Sequence, residues 1–280
     1  MTQKVWFITG ASKGFGLEIV KSVLASGDKV IATVRNNAAG LQADLGNPAE
    51  LLVVTMDVVK EAEVKQAVKD GIDRFGQLDV VVNNAGFGIV AAIEEASDVE
   101  ARRQYDTNVF GLLNVVRNVL PHLRERKAGH IINISSLFGY GALPAWALYG
   151  STKYAVEGIS EGLALELAPF NINVTALAPG LFRTQFLNSQ SYAQAANAIP
   201  DYNDTMVGQM KNVPDSLHGN QPGDPAKLAK VVVELAAEKN PPVHLPVGLD
   251  SLQTYRTNRD KTSTEIEAWA GKFTPTEVTA

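Results

Sequence analysis

Val5-Trp6-Phe7-Ile8-Thr9-Gly10-Ala11-Ser12-Lys13-Gly14-Phe15-Gly16 is the stretch whose reading decides the fold. Its first five residues form a short apolar run that reads as a strand, and Ile19, Val20 and Val23 beyond it follow the spacing of a helix face. Between the two, glycines let the backbone turn tightly and come close to a phosphate. There, free N–H groups and the helix dipole favour negative charge. A plain glycine-rich turn is the competing reading, but strand, loop and helix stand in the order a dinucleotide site requires. The spacing differs from G-x-G-x-x-G and from the Walker loop, and no Gly-Lys-Ser/Thr follows for a nucleoside triphosphate.

Working outward, short β-branched or apolar runs alternate with longer segments of helical period as far as about residue 180. Candidate strands are 5–9, 30–34, 51–56, 80–83, 130–134 and 173–177. Several are apolar at nearly every position, as strands covered on both faces must be. The pattern predicts a Rossmann-type, doubly wound parallel sheet with helices on both faces, a three-layer α/β/α unit. No repeat or linker divides residues 1–280, so one domain is expected.

Residues 181–224 interrupt this rhythm with many Gln, Asn, Ser, Asp and Gly around scattered aromatic and Met residues. A segment of this length after a strand is either a lid or a surface excursion, and its apolar residues, which need something to cover, favour a substrate-covering lid. Asp224-Pro225 reads as the cap and first position of a helix ending near Glu238. Pro241-Pro242 and Pro246 bracket a last short strand, and a helical extension at about 249–280 follows.

Composition excludes several chemistries. The 280 residues are 45% hydrophobic and 20% charged with a net charge of −5, which offers no general attraction to nucleic acid or anionic membrane. With no cysteine, disulfides, thiolate catalysis and thiolate metal sites are impossible. The four histidines are scattered without ligand-like spacing, so no metal is expected. Neither a signal peptide nor an apolar run of about 18 residues occurs, so a soluble, cytoplasmic protein is expected.

Polar residues punctuate successive strand ends. The second strand closes on Arg35, where an NAD site normally carries a carboxylate for the ribose hydroxyls. With Lys13, Arg35 would attract a 2′-phosphate, so NADP(H) is the expected cofactor. Asp57, before Val58, can accept the adenine amino group or simply cap a helix. Asn83-Asn84-Ala85-Gly86 follows the fourth strand. Asn108 falls on a largely apolar helix face, where a buried amide is either structural glue or part of a polar relay. Ser135-Ser136 closes the fifth strand, and Pro179-Gly180 with Thr184 closes the sixth. Tyr149 and Lys153 stand one helical turn apart, so a phenol and an ammonium become neighbours. The positive charge favours phenolate, which makes a usable acid/base.

These motifs in this order, over residues 4 to 184, resemble the short-chain dehydrogenase/reductase family, and specifically its carbonyl reductase or ketoreductase type. The resemblance implies a catalytic tetrad of Asn108, Ser136, Tyr149 and Lys153. It places the cofactor on Gly10, Ser12, Lys13, Gly14, Phe15, Gly16, Arg35, Asp57, Val58, Asn84, Ala85, Gly86, Tyr149, Lys153, Pro179, Gly180, Phe182 and Thr184. Thr184 would hold the nicotinamide carboxamide, Ser135 would contact the cofactor through its backbone, and the pro-S hydrogen would be transferred.

The expected reaction is hydride delivery from NADPH to a ketone or aldehyde carbon, with Ser136 bonding the substrate oxygen and Tyr149 supplying the proton. Lys153 would lower the phenol pKa and hold the nicotinamide ribose, and Asn108 would hold a water linking Lys153 to solvent. Phe87, Leu137, Phe138, Leu143, Trp146, Phe186, Tyr192, Tyr202 and Met206 could form an apolar pocket for a hydrophobic carbonyl or alcohol substrate. The alternatives are an NADP-dependent retinoid or steroid alcohol dehydrogenase working oxidatively, and a non-catalytic NADP(H)-sensing binding protein. The chain runs some thirty residues past the last strand, where many family members end in an Asp-Gly-Gly tail. A homodimer is therefore favoured over a tetramer, and the extension could pack over the pocket.

Overall fold

The computed structural model describes residues 3–188 and 192–273. Among these, the strands in chain order are β1 (Val5–Ile8), β2 (Lys29–Val34), β3 (Leu51–Thr55), β4 (Val80–Asn83), β5 (Gly88–Val90), β6 (Gly129–Ile134), β7 (Ile172–Pro179), β8 (Tyr192–Gln194) and β9 (His244–Val247). The helices are α1 (Gly14–Ala25), α2 (Ala38–Asp44), α3 (Glu61–Phe75), α4 (Asp98–Tyr105), α5 (Gly111–Arg126), α6 (Ala147–Leu167), α7 (Met206–Leu217), α8 (Pro225–Leu235) and α9 (Leu249–Phe273). Seven strands make one parallel sheet in the order β3-β2-β1-β4-β6-β7-β9.

The apolar runs form strands because both of their faces are covered. Along β1, Val5 and Phe7 enter one core with Val64 and Val68 of α3, Leu112 and Val116 of α5, and Val156 and Leu163 of α6. Trp6 and Ile8 point to the opposite core, with Ile19 and Val23 of α1 and Leu228 and Val232 of α8. This alternation is the two-residue period of a strand, with a helix layer on each side. The expected fold class is thus present, and the six expected strands appear with ends shifted by at most two residues.

The chain order reverses between β1 and β4, and open α/β sheets bind ligands beyond the strand ends at such a point. The loop from β1 to α1 is drawn onto this crevice from both neighbours. Ala11 N donates to Thr33 O at 3.0 Å, and Asn84 Nδ2 donates to the carbonyls of Thr9 at 2.9 Å and Gly10 at 3.1 Å.

Residues 181–224 contribute β8, α7 and two short 3-10 turns rather than an unstructured excursion. β8 pairs in parallel with β5, Gly88 opposite Tyr192, which lays the segment across the end of the sheet. A row of carboxylates just before and within α4 holds its far side. Glu94 Oε1 accepts from Tyr202 OH at 2.5 Å, Glu95 Oε1 accepts from Ile199 N at 3.0 Å and pairs with Lys211, and Glu100 Oε1 accepts from Ala196 N at 3.1 Å.

Residues 274–280 of the C-terminal extension lie outside the described residues; over Leu249–Phe273 it is a single helix, and none of these residues lines the crevice. Asp250 Oδ2 accepts from Leu181 N at 2.6 Å, Ser251 Oγ donates to Ala178 O at 2.8 Å, and Tyr255 meets Tyr140 edge-on at 5.2 Å. α9 therefore braces the turn at 179–181 from behind. Asp224 caps α8 as expected, accepting from Ala226 N at 2.9 Å.

Gly16 sits where α1 meets the loop. A Cβ there would lie 2.4 Å from Gly10 O and 2.7 Å from Asn84 Nδ2, both fixed by the bonds just described. Gly16→Ala should lower unfolding free energy by about 1–3 kcal/mol through overpacking and weaken dinucleotide binding. Urea denaturation and ligand titration would show it, and wild-type values in both would contradict this account of the loop.

Candidate active site

α6 delivers Tyr149 and Lys153 to the end of β6. Both are buried, and they lie one turn apart with the Lys153 Nζ 5.6 Å from the centre of the Tyr149 ring. The ammonium donates to Ile134 O, the last carbonyl of β6, at 2.8 Å. Two residues on, Ser136 starts a 3-10 turn over Leu137–Gly139 and its Oγ accepts from Phe138 N at 3.3 Å. Ser136 and Tyr149 line the same cleft.

Burial dominates the electrostatics. It pushes the Tyr149 phenol above its ordinary range, while the Ser136 hydroxyl pulls the other way. Removing a phenolate from water is the larger effect, so the lowering expected from Lys153 is not what sets this phenol. Burial also brings the Lys153 ammonium down to about 8, opposed by the Glu157 carboxylate one turn further along α6. Burial raises Glu157 in turn, and the neighbouring Ser135 hydroxyl and the bond with His244 oppose that rise. The His244 Nδ1 lies 2.7 Å from Glu157 Oε2.

Asn108 lies in a π-helical turn (Asp106–Phe110) between α4 and α5, a helix distortion frequent at functional sites. Its Oδ1 accepts from Phe87 N at 3.1 Å, and its Nδ2 donates to Phe87 O at 2.9 Å and to Thr152 Oγ1 at 3.1 Å. The side chain thus ties the strand-end loop to α6. With Lys153, Asn108 also lines a small cavity of about 10 Å³, the space of about one water.

Around Tyr149 opens a cleft of about 1180 Å³, above the ~300–1,000 Å³ of ordinary ligand pockets, so it accommodates a dinucleotide together with a second molecule. One arm is lined by Gly10, Ser12, Lys13, Gly14 and Phe15 from β1–α1, Arg35 just after β2, Asp57 and Val58 after β3, and Asn84, Ala85 and Gly86 after β4. Pro179 at the end of β7, with Gly180, Phe182 and Thr184 beyond it, completes the arm. Gly10 has φ +67°, and a Cβ there would meet the Ala85 Cα at 2.9 Å, so backbone alone borders the cleft at this point. These residues fit a dinucleotide. Of the expected cofactor residues only Gly16 is set back, packing beneath the loop.

The other arm is apolar. Phe138 stacks on Trp146 at 5.0 Å, and both meet Tyr149, which also packs against Phe186 at 5.5 Å. Phe87, Leu137, Leu143 and Tyr192 join this wall. Tyr202 and Met206, expected there, do not line it. Tyr202 turns outward to Glu94, and Met206 is 54% exposed at the first turn of α7. Met210, Val213 and Leu217 of α7 take their place, joined by Asp215, which accepts from Tyr192 OH at 2.7 Å, and by Gln221. The spacing of 210, 213 and 217 is a helical stripe, a signal that was available once residues 206–217 were read as a helix.

Among the described residues, no helix is long and apolar enough to cross a membrane, and no His, Asp and Glu cluster could hold a metal.

A parallel sheet with a phosphate-type loop at its reversal, opening onto a buried serine, tyrosine and lysine, defines a dinucleotide-dependent oxidoreductase. The sequence pattern of the family described as short chain dehydrogenase matches residues 4–195, and the chain belongs to that family. The chain is 38% identical over 268 residues to the oxidoreductase BOA17 of Botryotinia fuckeliana, covering 95% of this chain and 96% of that one. It is 36% identical over 248 residues to a 3-ketodihydrosphingosine reductase of Bacteroides thetaiotaomicron, covering 89% of each. A short-chain dehydrogenase from Streptomyces avermitilis superposes with a TM-score of 0.91 at 34% identity, over 99% of this chain and 100% of that one.

Because Lys153 holds its proton only up to about 8, turnover that depends on the ammonium should decline as pH rises through that value. Glu157→Gln removes the carboxylate that supports the charge, so the alkaline limb of the kcat/KM profile should move to lower pH. An unmoved limb would show that Glu157 does not act on Lys153.

Proposed function

We propose that the protein is an NADPH-dependent reductase that transfers hydride to the carbonyl of a hydrophobic ketone or aldehyde. The observation that carries this reading is the gathering of Ser136, Tyr149 and Lys153 on one cleft, the Lys153 Nζ 5.6 Å from the centre of the Tyr149 ring, where the apolar arm meets the dinucleotide arm.

The loop at 10–15 and the turn at 179–184 hold the dinucleotide, which supplies the hydride when bound. Ser136 donates to the substrate oxygen as negative charge develops there, and the Tyr149 phenol, kept protonated by burial, gives that oxygen its proton. The Lys153 ammonium stabilises the phenolate left behind and holds the nicotinamide ribose. Asn108 fixes the Phe87 backbone and Thr152, and the small cavity it shares with Lys153 gives room for one water to return a proton.

The preference for the phosphorylated cofactor rests on Arg35. It lines the cleft at the end of β2 together with Lys13, where this chain places no carboxylate to accept ribose hydroxyls. The apolar arm favours a substrate with a hydrocarbon or aromatic body, and one relative is named a 3-ketodihydrosphingosine reductase.

Tyr149→Phe retains the ring packing and removes the acid. Turnover on aryl ketones should fall by about 10²–10⁴ while the melting temperature holds, and near wild-type ketone reduction would refute the scheme. Arg35→Ala should raise KM for NADPH by about tenfold, the loss of one charge-assisted contact, and leave KM for NADH in place. Equal effects on both cofactors would remove Arg35 from phosphate recognition.

A further inference from the structure

Gln221 lies four residues beyond α7, where the segment covering the cleft returns to the sheet. Its side chain is 1% exposed, and neither its Oε1 nor its Nε2 has a hydrogen-bond partner among the described residues. Buried amides in folded proteins are almost always satisfied, because the desolvation of donor and acceptor is otherwise unrepaid. The residue lines the cleft beside Leu181, Phe182 and Thr184.

Its backbone is braced against that same turn. Gln221 O accepts from Arg183 Nε at 3.3 Å and Nη2 at 3.2 Å. Gly223 N donates to Leu181 O at 3.0 Å, and Arg183 N donates to Gly223 O at 2.8 Å. The buried amide is therefore carried on a fixed segment of the cleft wall, against the turn that closes the dinucleotide arm.

We infer that Gln221 is a ligand-binding residue whose carboxamide donates to and accepts from a bound group that presents an acceptor and a donor side by side. Two bound molecules carry such a group. One is the nicotinamide ring, through its own carboxamide, and the other is a ketone bearing a hydroxyl or amino group next to its carbonyl. A purely hydrocarbon neighbour leaves the amide unmet, so the residue selects against it. The inference rests on the cleft binding a nicotinamide cofactor and a ketone, and the test below separates the two.

Gln221→Leu replaces the amide by an apolar group of similar size, and Gln221→Met, run in parallel, keeps the unbranched chain should the leucine variant melt early. Each is titrated with NADPH in the absence of ketone, then assayed on two ketones that differ only in an α-hydroxyl. Loss of the paired bonds should weaken the affected ligand by about tenfold. A tenfold rise in the NADPH Kd assigns Gln221 to the nicotinamide. An unchanged Kd with a tenfold rise in KM for the hydroxy ketone alone assigns it to the substrate. NADPH binding and both KM values within twofold of wild type would overturn the inference while leaving the cofactor reading intact. Wild-type protein that neither binds NADPH nor reduces ketones would overturn both.

Discussion

A lysine ammonium as deeply buried as that of Lys153 survives only where fixed oxygens and charges receive it, and the arrangement of this end of the molecule follows from that demand. Ile134 O accepts from the ammonium, which fixes α6 against the last residue of β6. Glu157, one turn along, supports the charge and is itself held by His244 at the start of β9, across β7 from β6. Helix, central strand and edge strand are thereby linked by polar contacts, beside the buried bond from Asn133 Nδ2 to Ser160 Oγ that also joins β6 to α6. The Tyr149 ring is placed by the same helix, so the acid and its cation cannot be positioned independently.

The cleft divides along the physics of its walls. Its dinucleotide arm is made of backbone turns at the ends of β1, β2, β3, β4 and β7, where the parallel strands present unpaired N–H groups and small residues at one edge. Its other arm consists of side chains packed on Tyr149, roofed by β8 and α7. That roof is held by carboxylates at its rim and by apolar contacts inside. A polar rim costs little near solvent, and an apolar interior excludes water from the place where a proton and a hydride must move.

Much of this was legible in the chain itself. The strands were visible because β1, β4 and β6 are buried on both faces and therefore mostly apolar. The polar residues at strand ends were visible because they interrupt those runs at one edge. Residues 181–224 were less so. Tyr202 and Met206 are apolar or aromatic residues without a periodic context, and nothing in their identity says that one turns to Glu94 and the other to solvent. Asp215 and Gln221 stand in a polar stretch, where two more polar residues carry no signal.

Local order, then, was determined by sequence alone. It set the parallel α/β succession, the phosphate-type loop and the single-turn spacing of Tyr149 and Lys153, because period and spacing act over a few residues of one element. Only the tertiary structure decided that α9 braces the turn at 179–181 instead of covering the cleft. It alone showed that burial raises the Tyr149 phenol, and that Gln221 is buried in the cleft wall with both ends of its amide unmet. Those outcomes depend on which surfaces meet when the layers close, and desolvation is a property of the closed packing rather than of any stretch of chain.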